Sequence, residues 1–460
     1  MPSKLKPPSR HDAIGIPIFG MYWYGDPGDG TSILAYCGGG GGAATGVKNK
    51  LFIEIAGGVE DNGSSQQQQN GSGGGGSNGD EPIVVSTGDQ LGVAINISKN
   101  PLTNKISLFC ALGTKVNVYS LPEAKLEQEL SVGATVHAIG VNAMADSIAL
   151  GCENGSIIVY DFESDYRIRE LPSYTCDEGP DIGHTKPICS VTFAPRSKDL
   201  IVSGSKDGTA RVWNRDQCKS VLKCSIKDPN AKPPPPNRRN RIQTVMVRGC
   251  AFGDLEGNLV YTVASGKRGK AFMSKWAFDE KDNQYQCFER TACSKHPVSA
   301  MSMSADAQTI ALGNSDGTIY LWSVPKWKVI KEFPEVHEFP VTCIAARPYD
   351  VPLKGEKESG IRFNAFSASA DAQLGRLTTQ RKVPKSAAEK NSAGFPLAEY
   401  LNWLAKWSLI FFIVSPLAQD MWSQCGDESD IDGFGEKLKC VRDNIIFAPS
   451  SRPGIAIPPH

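Results

Sequence analysis

Apolar and polar positions alternate along most of this chain in short runs, and the runs come in pairs joined by turn residues. Three pairs superimpose without a gap: Gly151 to Tyr160 through Asn154-Gly155, Gly204 to Trp213 through Asp207-Gly208, and Gly313 to Trp322 through Asp316-Gly317. An apolar run entering an Asn-Gly or Asp-Gly turn and an alternating run leaving it predict a β-hairpin. In all three an aromatic residue stands six positions after the turn Asn or Asp. Upstream, His184-Thr-Lys-Pro187-Ile188 and His337-Glu-Phe-Pro340-Val341 repeat a second pattern, with His296-Pro297-Val298 as a shortened copy. Weaker hairpins are expected over Ser32 to Ile55, with a very long turn, over Lys105 to Tyr119, Leu259 to Trp276 and Phe363 to Thr379. The total is seven hairpins in an all-β chain.

A repeat at this spacing requires stacking, because a single small sheet cannot cover both of its faces. The units resemble the WD40 repeat, which implies a closed, seven-bladed β-propeller of four-stranded blades over residues 1–380. That resemblance also implies that His184, Ser203, Asp207 and Trp213 form a buried, hydrogen-bonded tetrad. These polar residues are then neither metal ligands nor catalysts.

Other segments fall outside the repeat. Residues 57–80, with Gln66 to Gln69 among Gly and Ser, cannot repay the entropy of ordering and read as a disordered insert in the first blade. Lys227 to Arg241, with four consecutive prolines, reads as an extended loop or a basic docking site. Arg376 to Ala393 reads as linker, and 381–400 as the stretch between propeller and anchor. Leu401 to Ala418 is the one long apolar stretch, a marginal membrane span beside the alternative of a helix packed on the propeller. Basic residues precede it (Arg381, Lys382, Lys385, Lys390) and acidic ones follow (Asp420, Asp427, Glu428, Asp430, Asp432), which places the repeats in the cytosol and 419–460 across the membrane. There Cys425 and Cys440 could pair. The N-terminus has no apolar signal region. Lys+Arg and Asp+Glu both total 49, a balance that argues against a nucleic-acid binder. The thirteen cysteines contain no Cys-x-x-Cys pair and suit a reducing compartment.

The most specific feature is the run Cys37-Gly-Gly-Gly-Gly-Gly-Ala-Ala-Thr-Gly46-Val47-Lys48-Asn49-Lys50-Leu51. A dinucleotide fingerprint would need a helix next, but Leu51 to Ile55 alternates as a strand. A phosphate-cradling loop would need Gly-Lys-Ser/Thr, and Gly46-Val47-Lys48-Asn49 does not supply it. A merely permissive turn does not need five glycines, each of which costs backbone entropy. Such a run between two good strands predicts a backbone shaped for contact.

Gly-Gly-Gly-Gly, a short spacer and Thr-Gly-Val-Lys-Asn in the first blade resemble the exchange loop of ER proteins that start COPII coat assembly. That family comprises Sec-type exchange factors of yeast and the prolactin regulatory element-binding protein of animals. The resemblance implies a guanine-nucleotide exchange factor for a Sar-family small GTPase, held in the ER membrane by one C-terminal span. It also implies an apolar tip, Val47, flanked by Thr45, Gly46, Lys48 and Asn49, and a potassium ion ordering the loop, with Gly42, Ala43 and Asn49 as its candidate ligands. The Gln-rich insert and the interrupted anchor depart from that pattern.

Exchange alters no covalent bond, so such a protein is not an enzyme in the bond-making sense. It binds the nucleotide-free GTPase better than the loaded one. Ten-thousandfold acceleration needs about 5.5 kcal/mol of differential binding, whereas burying one Val supplies about 1.5–3 kcal/mol. Val47 therefore cannot act alone. The rival expectation is a membrane-anchored propeller scaffold with no exchange activity.

Overall fold

Alternation of buried and exposed positions fixes where each strand lies, and the turn residues fix where each ends. In a computed structural model of the protein the described residues are 11–26, 31–42, 45–56, 82–162, 168–170, 183–214, 217–227, 244–348 and 361–380. They fold into seven antiparallel four-stranded sheets, the blades. After β1 (His11–Ala13), blade 1 is β2 (Ile18–Gly25), β3 (Ser32–Gly38), β4 (Lys50–Ala56) and β5 (Ile83–Ser86). Blade 2 is β6 (Gly92–Lys99), β7 (Ile106–Leu112), β8 (Lys115–Leu121) and β9 (Lys125–Ser131). Blade 3 is β10 (Val136–Val141), β11 (Ser147–Cys152), β12 (Ile157–Phe162) and β13 (Ile168–Glu170). Blade 4 is β14 (Ile188–Phe193), β15 (Leu200–Ser205), β16 (Thr209–Asn214) and β17 (Gln217–Lys223). Blade 5 is β18 (Met246–Phe252), β19 (Leu259–Ser265), β20 (Ala271–Asp279) and β21 (Gln284–Ser294). Blade 6 is β22 (Val298–Met303), β23 (Thr309–Asn314), β24 (Ile319–Ser323) and β25 (Lys328–Phe333). Blade 7 is β26 (Val341–Ala346), β27 (Ile361–Ser369) and β28 (Gln373–Gln380), completed on its outer edge by β1.

The first strand of each blade packs on the first strand of the next all the way round, and β26 packs on β2, so the ring is closed. Closure rests on two joins. The N-terminal β1 pairs with β28 through His11 and Leu374, a long-range pairing that covers the start of the β28 edge. At the ring axis, every first strand carries a register shift within its first residues, for example at Val298/Ala300 and Val341/Cys343. Two of the residues so displaced stitch blades together: Ser299 Oγ donates to the Val341 carbonyl at 2.6 Å, and Thr342 Oγ1 donates to the Ile18 carbonyl.

Between blades lie apolar layers. Phe109, Val116 and Val118 of blade 2 meet Ile139, Ile148, Leu150 and Ile158 of blade 3, all buried. Each such aliphatic side chain contributes about 1.5–3 kcal/mol by leaving water. This repeated layer, more than any single contact, holds the blades in register.

All seven hairpins expected from the turns are the second and third strands of a blade. Arg376 to Gln380, expected to begin a linker, instead form the second half of β28, where Arg376 pairs with Phe366. The alternating run of β28 continues past Arg376 because its ladder to β27 still offers hydrogen bonds. Met1–Arg381 is one compact unit and Lys382–His460 another. The insert 57–80, the linker 381–400, the apolar run 401–418, and Cys425 and Cys440 lie outside the described residues. Among the described residues no helix is long and apolar enough to cross a membrane.

Candidate functional site

One face of the ring gathers the turns between second and third strands together with the segments that enter each first strand. The glycine loop emerges on this turn face. Pairing of β3 with β4 ends at Gly38 opposite Lys50, leaving 39–49 as the connection. Ala43 and Ala44 lie outside the described residues.

Asn49 is the strut of the loop. Its Nδ2 donates to the Gly41 carbonyl at 2.8 Å and to the Gly88 carbonyl at 3.0 Å, while its Oδ1 accepts from the Gly41 amide at 3.1 Å. It is only 2% exposed, so Asn49, expected beside Val47 as a contact residue, faces inward and holds the loop. Thr45 shapes the tip. Its amide and its Oγ1 both donate to the Gly42 carbonyl at 3.1 Å, and the Oγ1 accepts from the Val47 amide at 3.4 Å.

The glycines have separable reasons. A Cβ on Gly39 would stand 2.2 Å from Asn49 Oδ1. One on Gly40 would stand 2.2 Å from Thr45 Oγ1 and 2.7 Å from Val47 Cβ. Gly41 needs its freedom for another cause, a φ of +80°. Gly42 has open space around it. The chain therefore folds back on itself until backbone and strut touch, and it presents Val47, 36% exposed, between exposed Gly46 and Lys48.

The oxygens expected to hold potassium are otherwise engaged. Gly42 O receives both Thr45 donors, and Asn49 Oδ1 receives the Gly41 amide. Gly42 O thus uses both of its lone pairs within the loop, whereas Asn49 Oδ1 accepts one hydrogen bond and keeps a second lone pair. Asn49 braces the loop through three hydrogen bonds of its own.

In blade 4 the structure brings His184, Ser203, Asp207 and Trp213 together. Trp213 Nε1 donates to Ser203 Oγ at 2.8 Å, and Ser203 Oγ lies 2.7 Å from His184 Nε2. His184 Nδ1 lies 2.9 Å from Asp207 Oδ2, whose other oxygen accepts from Thr209. Burial outweighs the pull of Asp207 and lowers the His184 pKa. The neutral ring then donates from Nδ1 and accepts at Nε2, giving one unbroken relay. Its chemistry is structural, with all four polar groups satisfied by one another. Blade 7 holds a second set that the sequence pattern did not expose: His337 lies 2.9 Å from both Asp371 and Ser367. Its turn reads Asp371-Ala372, not Asp-Gly, and Ala372 adopts φ +60° where Gly155, Gly208 and Gly317 stand in blades 3, 4 and 6. Leu377 replaces the ring residue. In blade 6, Leu312 occupies the place of Ser203, and the buried Trp322 Nε1 has no partner.

Phe339 is the apolar residue of this face that sequence reasoning passed over. It is 53% exposed on the segment entering β26, in the blade next to that of Val47. The available signal was the repeat itself, in which Phe339 stands where Lys186 stands in blade 4.

The WD40 family, described as WD domain, G-beta repeat, matches residues 178–214 and 287–323. The two matched segments end in blades 4 and 6 of the seven-bladed ring. Among curated proteins the chain is similar to Protein FIZZY-RELATED 1 of Arabidopsis thaliana, 21% identical over 271 residues, 54% of this chain and 51% of that protein. It is similar to the COMPASS component SWD1 of Saccharomyces cerevisiae, 30% identical over 79 residues, 17% of each chain. It is also similar to the tRNA (guanine-N(7)-)-methyltransferase non-catalytic subunit wdr4 of Dictyostelium discoideum, 33% identical over 73 residues, 15% of this chain and 16% of that one. The propeller thus spans about half the length of the first of these relatives and less of the others. None of the three names refers to nucleotide exchange.

Proposed function

We propose that this propeller is a guanine-nucleotide exchange factor for a Sar-type small GTPase, working from the ER membrane to start COPII coat assembly and ER-to-Golgi transport. In this reading the repeats lie in the cytosol, 401–418 is the single-pass anchor and 419–460 is lumenal. One observation carries the reading: an apolar side chain, Val47, stands exposed on a loop whose backbone is held from within by Asn49 and Thr45. An ordered loop loses little freedom on binding, so more of the contact energy is left to distinguish the nucleotide-free partner from the loaded one. Val47 is 36% exposed in the free loop, so its further burial supplies about a third of the full value, roughly 0.5–1 kcal/mol. The rest comes from the loop backbone and from other groups on the turn face, among them Phe339.

The second reading is a scaffold that gathers partners without exchange. It is favoured by the names of two relatives, a component of one assembly and the non-catalytic subunit of another. Release of fluorescent GDP from a Sar-type GTPase, with and without the full chain, separates the two. Stimulated release supports the exchange factor. Binding of the GTPase without stimulation supports the scaffold.

A further inference from the structure

The turn face is divided by charge. Blades 4 and 5 present Lys186, Lys206, Arg248, Lys267, Arg268 and Lys270, and none of these forms an ion pair among the described residues. The one acid in their described turns on this face, Asp207, is committed to His184 and Thr209. Blade 6 sets Lys295 and His296 beside Asp316, with His296 3.5 Å from Asp316, and blade 7 carries Glu335 and Glu338. Because the whole chain is neutral, this cationic excess is a local arrangement and not a property of composition. Among the described residues these cations have no ion-pair partner; clustering like charges opposes folding, and the arrangement suits an anionic partner.

Arg248 gives the cluster its centre. It sits on the register shift of β18 at the ring axis, half-buried, and its Nε is buried with no hydrogen-bond partner. Its Nη2 meets the Met246 sulfur at 3.6 Å, and the guanidinium also hydrogen-bonds the Cys189 thiol. The thiol of Cys189, on the neighbouring first strand, reports the same local field: burial raises its pKa, while Arg248 and Lys206 pull against that rise. The repeat supplies a further contrast. The position before the entering proline is Lys186 in blade 4 and Phe339 in blade 7. The face is apolar where it adjoins Val47 and basic across the axis.

We propose that the cations of blades 4 and 5 form a receptor for an acidic protein segment, and that this receptor seats across the ring axis the same partner whose apolar pocket takes Val47. The second half rests on the exchange reading; the receptor itself does not. An acidic peptide fits better than nucleic acid, because the described turns of these two blades expose no aromatic ring on which a base could stack. It fits better than a lipid surface, because a flexible carboxylate side chain can enter to the half-buried Arg248. A flat headgroup layer would stop at Lys267 to Lys270.

The test uses the full chain and fluorescein-labelled hexaglutamate, read by anisotropy at low salt. Lys267→Glu/Arg268→Glu/Lys270→Glu, confined to an exposed turn, weakens peptide binding by about tenfold or more, and Arg248→Gln weakens it with the surface charge of the turn intact. In GDP release the triple variant raises the GTPase concentration for half-maximal rate by about tenfold and leaves the maximal rate unchanged; Val47→Ala does the reverse. Equal hexaglutamate binding by wild type and triple variant overturns the receptor. So does tighter, equally variant-sensitive binding of phosphatidylserine vesicles or of oligothymidylate. If the wild type stimulates no release, the exchange reading fails while the peptide titration still decides the receptor.

Discussion

Replacing Asn49 by alanine removes three hydrogen bonds from the glycine loop at once: two donated by Nδ2 and one accepted by Oδ1. A net bond contributes about 0.5–1.5 kcal/mol, so the intact strut stabilises the ordered loop by about 1.5–4.5 kcal/mol. The lower half of that range applies, because Gly88 is exposed and Gly41 half-buried, and both regain water when the loop opens. About 2 kcal/mol corresponds to roughly a thirtyfold shift toward the open loop. The core layers do not depend on Asn49, so the loss is local. Hydrogen–deuterium exchange over residues 38–50 should accelerate by about tenfold or more in Asn49→Ala, while β15 keeps its protection. Asn49→Asp should be no better, since it keeps the acceptor for the Gly41 amide but sets a carboxylate against two carbonyls. Unchanged protection of 38–50 in both variants would refute the strut.

Other outcomes follow from the same geometry. Gly40→Ala should slow stimulated GDP release, because its Cβ would meet Thr45 Oγ1 and Val47 Cβ, whereas Gly42→Ala in open space should not; equal effects would contradict that division. Gly317→Ala should destabilise the propeller by about 3 kcal/mol in urea titration, since it combines φ +79° with a Cβ 1.9 Å from the His337 carbonyl. Ala372→Gly, relaxing the left-handed turn of blade 7 at the cost of a freer unfolded chain, should change stability by less than about 1 kcal/mol. His184 has its pKa lowered by burial from the ordinary 6.5, so below that pH the unfolded chain binds more protons than the fold does. Stability should therefore decline as pH falls from about 6.5 through the lowered folded value. His184→Gln should flatten that decline, although His137, lowered by burial and by Lys206, retains part of it. An unaltered pH slope in the variant would reject the neutral buried ring.

The hairpins were legible because each joins two strong local signals, alternation and a turn that needs a left-handed residue. The remaining strands were not. β25 has no buried residue, and β9 buries only Leu130, so neither carries the alternation that marks a half-covered strand. β1 is three residues long, and its identity lies in a partner at the other end of the chain. The set around His337 was half-visible: its histidine repeats, but Asp371-Ala372 lacks the glycine that announces the turn. At the loop, the exposed tip could be read from an apolar residue among glycines. The inward course of Asn49 could not, because it depends on the carbonyl of Gly88, distant in sequence and brought close by β5. The division of charge on the turn face was likewise hidden, since a balanced composition says nothing of how blades distribute it.

The central claim is that Val47 on a pre-ordered loop drives nucleotide release. Its most direct test is the rate of GDP release from a Sar-type GTPase with the full chain carrying Val47, Val47→Ala or Val47→Asp, each first shown to be folded by circular dichroism. The wild type should accelerate release. Val47→Ala should lose about two- to fivefold of that acceleration, equivalent to about 0.5–1 kcal/mol of transition-state binding. Val47→Asp should lose more, because its carboxylate would have to be desolvated in the partner. Equal acceleration by all three folded proteins would contradict the inserted-tip account, and none by the wild type would leave a scaffold.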